Sequence, residues 1–184
     1  MVTTSFSLAS IGIHWRQRLS VTSEHSIDLD RSKGELHVLG RRHIAIDGEA
    51  LCSHLDRLCG SKVAEVIIHQ HEYGLGMEDA EGYRRAKPNA TIQEIVKVVE
   101  EEHLVSGFGV TEVRLPNDAS RLVQPIPVEI FNPCVKTTSG AGKAILTAYW
   151  CGVMAFLLRR PLEAGPLTYD RTENSIKFDI VVRP

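Results

Sequence analysis

His69-Gln70-His71-Glu72 places two imidazoles and a carboxylate together, the ligand types that transition metals prefer. Residues two apart on a helix point in different directions, so His69 and His71 converge on one ion only at a strand or a break. A polar helix end is the competing reading. Cys52, His54 and Cys59 offer a thiol and imidazole pairing, yet Cys52 and Cys59 share one apolar helix face, where core packing accounts for them. Cys134, after Asn132-Pro133, and Cys151, inside an apolar run, lack the electropositive, accessible setting of a reactive thiol. From Thr137 to Lys143 the chain has glycines and a lysine ahead of a helix, as a phosphate loop does. Thr137 replaces the first glycine, however, and Ala144 stands where Ser or Thr would bind magnesium. Nucleotide hydrolysis is therefore not expected, and only a weaker anion contact at the helix N-terminus stays open. His103 shortly precedes Phe108 at a helix-to-strand junction, where an imidazole can hydrogen-bond the polar group of a ligand.

Composition narrows the classes that these groups can serve. A length of 184 residues with 43% hydrophobic content suits one domain with a sizeable core. Twenty-one Lys and Arg against 23 Asp and Glu leave a formal charge of -2, too weak a field to gather nucleic acid or an anionic membrane. The four cysteines lack the close pairing of a zinc knuckle or redox motif and read as reduced core residues. Met1 to Ser10 has no early basic residues and no long apolar run, so a secretory signal is not expected and a cytoplasmic location is.

Periodicity then gives the elements that must position the candidates. Residues 1–34 read as an N-terminal extension and 35–184 as an α+β domain. Leu36 and Val38, then Ile44 and Ile46, interrupted at Gly40-Arg41-Arg42, predict two short strands or a bent one. Leu51, Leu55, Leu58 and Cys59 predict a helix ended by Gly60, and Val63, Val66, Ile67 and Gln70 the apolar set of another running toward Gly74. The charged stretch from Gly76 to Asn89, with Gly82 and Pro88, reads as a mobile loop with at most a short helix. Thr91 to Glu94 matches a capping box, followed by the stripe Ile92, Ile95, Val96 and Val99, with Glu100, Glu101 and Glu102 as a solvated helix end. Gly107-Phe108-Gly109 breaks the helix. Thr111 to Leu115 and Ile126 to Phe131 alternate as an antiparallel pair, joined through a turn at Pro116-Asn117-Asp118. Ala141 to Leu158 is apolar on nearly every side but short for a bilayer span, so it reads as a core helix with one face on a sheet and another on a second subunit. Leu167 and Tyr169, then Ile176, Phe178, Ile180 and Val182, predict a closing hairpin.

In their order these pieces, from about Leu39 to Val182, resemble the 4-vinyl reductase domain family. It is also described as a hydrocarbon-binding domain and is related in fold to the TRAPP vesicle-tethering subunits. The resemblance is carried by Arg42-His43-Ile44 before the Leu51, Leu55, Leu58, Gly60 helix, by Gly107-Phe108-Gly109, by Trp150-Cys151-Gly152 and by Ile176-Lys177-Phe178. It implies a helical layer on a small antiparallel sheet, homodimerisation through helices, and a pocket for a small apolar or aromatic molecule. Many relatives bind zinc through a glutamate and cysteines near the final hairpin. Gly165 to Phe178 contains neither cysteine nor histidine, so no metal site is expected there.

The reading that follows is a stand-alone homodimeric sensor or carrier of a small hydrophobic or aromatic molecule. His103, Phe108, Phe131, Tyr149, Trp150 and Phe156 are its ligand-binding candidates. A non-enzymatic interaction scaffold using the exposed side of the 141–158 helix is the first alternative. A reductase acting on a vinyl tetrapyrrole is the second, but no dinucleotide fingerprint, acid and base pair or cofactor motif supports it. No catalytic residue and no cofactor are assigned.

Overall fold

The first long helix, α1 (Gly48–Cys59), starts at Asp47, whose carboxylate accepts the Ala50 N–H, and stops at Gly60, whose φ of 82° is natural to glycine alone. The computed structural model describes residues 27–30, 35–38, 41–43, 47–116, 124–135 and 139–183. Expectations about residues 1–26, Ile44, Ile46, the Asn117-Asp118 turn and Thr137-Thr138 lie outside the described residues. Within the segment read as an extension, β1 (Ile27–Asp30) pairs antiparallel with β2 (Glu35–Val38), which pairs in turn with β3 (Arg41–His43).

α2 (Ser61–Ala86) corrects the loop expected between Gly76 and Asn89, because the helix runs through it. Its charges form a solvated helix face, as the i,i+4 pair of Arg85 and Glu81 at 3.0 Å shows. The face of α2 is also corrected. Val63, Val66 and Ile67 are 51%, 60% and 46% exposed, and the buried line is Ala64, Ile68, Glu72, Gly76, Asp79 and Ala80. The period was right, and the side that α2 turns to its neighbours is set by small residues rather than by the largest apolar ones.

α3 (Ile92–Val105) begins with the capping box as read: Thr91 Oγ1 accepts the Glu94 N–H at 3.2 Å, and Glu94 Oε2 accepts the Thr91 N–H at 2.6 Å. Its acidic end differs from the expectation of a solvated terminus. Glu100 and Glu102 are buried, and each does structural work. Glu100 accepts the Val113 N–H at 2.8 Å and pairs with Lys97 at 2.6 Å, while Glu102 accepts the hydroxyl of Tyr83. Both carboxylates are thereby satisfied, which is what permits them inside.

β4 (Val110–Val113) and β5 (Ile126–Phe131) form the antiparallel pair, with Ile126, Val128 and Ile130 inward. β5 pairs with the closing strand β8 (Ser175–Val182), whose other edge holds β6 (Leu162–Ala164) toward its end and β7 (Thr168–Asp170) at its start. The hairpin of β7 and β8 is as read. The class is therefore α+β, with four helices, a five-stranded antiparallel sheet and the three-stranded sheet of β1 to β3 among the described residues.

α4 (Gly140–Leu158) has a mean hydropathy of 1.5 over an 18-residue window, long and apolar enough to cross a bilayer by composition, but 78% of that window is buried inside the fold. It is buried on two sides, as its pattern required. The second side is covered by α2 of the same chain and not, as the sequence led us to expect, by another subunit. That contact is unusually close. A Cβ on Gly152 would strike the backbone carbonyl of Tyr73, and one on Gly76 would lie against the Tyr149 carbonyl and 2.9 Å from Val153 N. Two glycines thus let the helix backbones touch and set where α2 crosses α4.

Candidate functional site

Where α2, α3, α4 and β4 meet, the fold brings together four of the six candidate residues. His103 lies near the end of α3 and is 3% exposed. Its ring stacks on Phe108 at 4.8 Å and on Tyr149 at 5.4 Å, and meets Trp150 edge-on at 5.4 Å. Tyr149 and Trp150, adjacent on α4, stand at 89° to each other with centroids 6.0 Å apart. Phe108 is carried between Gly107 and Gly109, whose φ angles of 83° and 115° turn the chain from α3 into β4. Phe131 sits half-buried at the end of β5, and its carbonyl backs Gly109. Phe156 lies elsewhere, in a cleft at the far end of α4.

The polar atoms of the cluster divide into two sets. Tyr149 donates its hydroxyl to Asp79 Oδ2 at 3.0 Å, Tyr83 donates to Glu102, and His103 Nδ1 shares a 2.7 Å hydrogen bond with Thr111 Oγ1. His103 Nε2 and Trp150 Nε1 are buried with no hydrogen-bond partner among the described residues. A buried polar group left unpaired costs about 1–3 kcal/mol, so two of them on touching rings call for an explanation. Burial pushes the Tyr149 phenol well above its usual range, and the carboxylates of Asp79 and Glu102 push it the same way. The surroundings disfavour further negative charge.

Burial alone pushes the His103 imidazole down from 6.5 to about 3. An unfolded histidine takes up a proton as pH falls through about 6.5, whereas the folded ring stays neutral until about pH 3. The unfolded state binds more protons across that window, so His103 lowers stability as pH falls through it and has no such effect above it. We expect the urea midpoint of His103→Leu to fall less steeply than that of the wild type as pH drops below about 6.5. Equal slopes would show that the ring is not held neutral.

The other chemistry read from the sequence is separated by the fold. On α2, His69 stacks on Tyr73 at 5.9 Å while the exposed His71 pairs with buried Glu72 at 3.0 Å. Among the described residues, no group of three His, Cys, Asp or Glu is placed to hold a metal ion. Cys52 and Cys151 are buried, Cys59 and Cys134 half-buried, and all are free thiols. Burial pushes Cys134 to about 11 and Cys151 to about 12, far from thiolate reactivity. At the start of α4, Ser139 Oγ accepts the Gly142 N–H at 3.0 Å, and the Glu65 carboxylate lies against Gly140. That helix N-terminus already has its cap and an adjacent negative charge, so a bound anion would be opposed.

Asp79, Tyr83, Glu102 and Thr111 belong to the cluster and were not among the site candidates read from the sequence. Asp79 and Tyr83 sit in the charged stretch read as a loop. Continued as a helix, the small-residue line through Ala64, Ile68 and Gly76 leads directly to Asp79 and Ala80, with Tyr83 one turn on.

No protein-family model matches the chain, and no curated protein matches it in sequence. Among solved structures, it is similar to the phenol-responsive sensory domain of the transcription activator PoxR, crystallised with phenol. The TM-score is 0.62 with 11% sequence identity, over 84% of this chain and 83% of that one. A vinyl-4-reductase family protein from Methanocaldococcus jannaschii aligns at a TM-score of 0.41 with 9% identity, over 77% of this chain and 100% of that one, too loosely to carry an argument. The first similarity shows the fold, and it is the helical layer on a small antiparallel sheet that the resemblance implied.

Proposed function

We propose that this chain binds a small neutral aromatic molecule bearing a hydroxyl, a simple phenol being the model case, at the His103 and Trp150 rings. The observation that carries the reading is the pair of buried ring nitrogens without partners, set among aromatic faces. With the Thr111 hydroxyl donating to Nδ1, the imidazole proton sits on Nε2, and imidazole and indole each present an N–H to a ligand oxygen. Phe108, on its glycine-flanked turn, is the side chain whose displacement admits the ring. The buried Asp79 and Glu102 favour a neutral hydroxyl over a carboxylate. The fold is shared with a domain described as phenol-responsive, which fits this reading. In this reading the role is that of a cytoplasmic sensor or carrier.

Calorimetry on the purified protein tests the reading directly. Phenol is expected to bind with one site per chain, and benzoate to bind at least about tenfold more weakly at that site. Protein purified gently is expected to retain a small aromatic molecule in native mass spectrometry. No heat with phenol or its alkyl derivatives, and no retained molecule, would defeat the proposal.

The same domain acts as a homodimer in this reading, through α1 and α2 rather than α4. Leu58 on α1 is 80% exposed, and Val63, Val66 and Ile67 are 51%, 60% and 46% exposed on the side of α2 opposite its buried line. Two copies related by a two-fold axis would cover the same stripe on each other. Sedimentation is expected to show a dimer that Val66→Glu converts to a monomer. A wild-type monomer at all concentrations would refute this pairing.

A further inference from the structure

A cleft on the surface differs in chemistry from the buried cluster. Between α2 and the C-terminal end of α4 lies an open cleft of about 580 Å³, a volume suited to a small molecule. Tyr73, Met77 and Phe156 give it apolar walls, three arginines, Arg84, Arg159 and Arg160, are among its lining residues, and none of the described lining residues is Asp or Glu. We infer that this cleft is a binding site for a small amphipathic anion with an aromatic or acyl body and one carboxylate or phosphate head.

The arginines differ in how they are held. Arg84 is tied down, its guanidinium donating to the Ala90 carbonyl and, at 3.5 Å, to that of Pro88. The backbone N–H of Arg159 caps α4 on the Ala155 and Phe156 carbonyls, while its guanidinium has no hydrogen bond or ion pair among the described residues, which leaves its side-chain donors open to a ligand. At φ 55° and ψ 42°, Arg159 holds the left-handed conformation at the C-cap of α4, a position where glycine is the usual residue. A cation near a helix C-terminus complements the dipole from any nearby position and does not require this one. Held at that helix end, Arg159 is one of the residues that line the cleft. The negative end of the α4 dipole would by itself repel an anion, so the guanidiniums decide the sign of the site.

The site stands apart from the buried cluster. Phe156 follows Trp150 by six positions, roughly 9 Å along the helix axis at 1.5 Å per residue, and none of the cluster rings lines the cleft. Whether phenol binds at His103 does not bear on it.

The test uses 1-naphthoate as probe and 1-naphthalenemethanol as its neutral counterpart, titrated into the full chain by calorimetry. Naphthoate is expected to bind at low salt, to weaken as salt is raised, and to bind at least about tenfold more tightly than the alcohol. Arg159→Gly is the decisive variant, because glycine takes the left-handed conformation freely and the helix end survives the change. It is expected to weaken naphthoate about tenfold while leaving the alcohol unchanged, and Phe156→Ala to weaken both. Saturating phenol is expected not to displace naphthoate. Equal affinity for acid and alcohol, wild-type affinity in Arg159→Gly, or displacement by phenol would each overturn the inference.

Discussion

Gly152→Ala is expected to destabilise the domain by about 3 kcal/mol, measured as a drop in the urea unfolding midpoint, because the added methyl has nowhere to go. A Cβ at this position would overlap the Tyr73 carbonyl oxygen and lie 2.9 Å from its carbonyl carbon. Those are backbone atoms in the middle of α2, so relief requires the two helices to separate rather than one side chain to turn aside. Separation would disturb the most extensive contact in the fold, and Tyr149, on the same helix, would move with it. Gly74→Ala is the matched control. It also lies inside α2, but a Cβ there meets nothing within 4 Å, so alanine is expected to stabilise the helix by about 0.5–1 kcal/mol. If Gly152→Ala were as harmless as Gly74→Ala, the α2 and α4 crossing would not be as described.

Trp150→Phe is expected to weaken phenol binding by about tenfold or more while changing the affinity for toluene much less. Phenylalanine keeps an aromatic ring in the core and removes only the indole N–H and part of the indole volume. Volume loss affects both ligands, whereas the N–H matters to the hydroxylated one alone, so the difference between phenol and toluene isolates the hydrogen bond. His103→Leu is expected to show the same selectivity through loss of Nε2. In the double variant the phenol penalty is expected to fall short of the sum of the two single penalties if one oxygen bridges both nitrogens. Equal losses for phenol and toluene would mean that the cluster provides shape and no donor.

Much of the architecture was legible from local pattern. The capping box at Thr91 and Glu94, the break at Gly60, the alternation in Ile126 to Phe131 and the hairpin ending in β8 depend on residues within a few positions of each other. Within the site, His103 and Phe108 are five apart, and Tyr149 and Trp150 adjacent, so their local placement could be read, and their meeting is what folding adds. Phe131 and Phe156 were grouped with them on aromatic character alone, a property that carries no direction.

By itself the sequence determined the period of α1, the first half of α2, α3, α4 and the strands β4, β5 and β8, several of their ends, and the requirement that α4 be enclosed on two sides. It could not determine what encloses α4, which side of α2 turns inward, or that Glu100 and Glu102 lie inside. Periodicity is set by backbone geometry over a few residues, whereas burial depends on which distant surface arrives. On α2, two-residue contact at Gly76 and Gly152 outweighed the larger apolar side chains of Val63, Val66 and Ile67, since only the small-residue face admits another backbone. That single packing choice carries Asp79 and Tyr83 into the core, seats Tyr149 and Trp150 against His103, and leaves the apolar stripe of α2 outside.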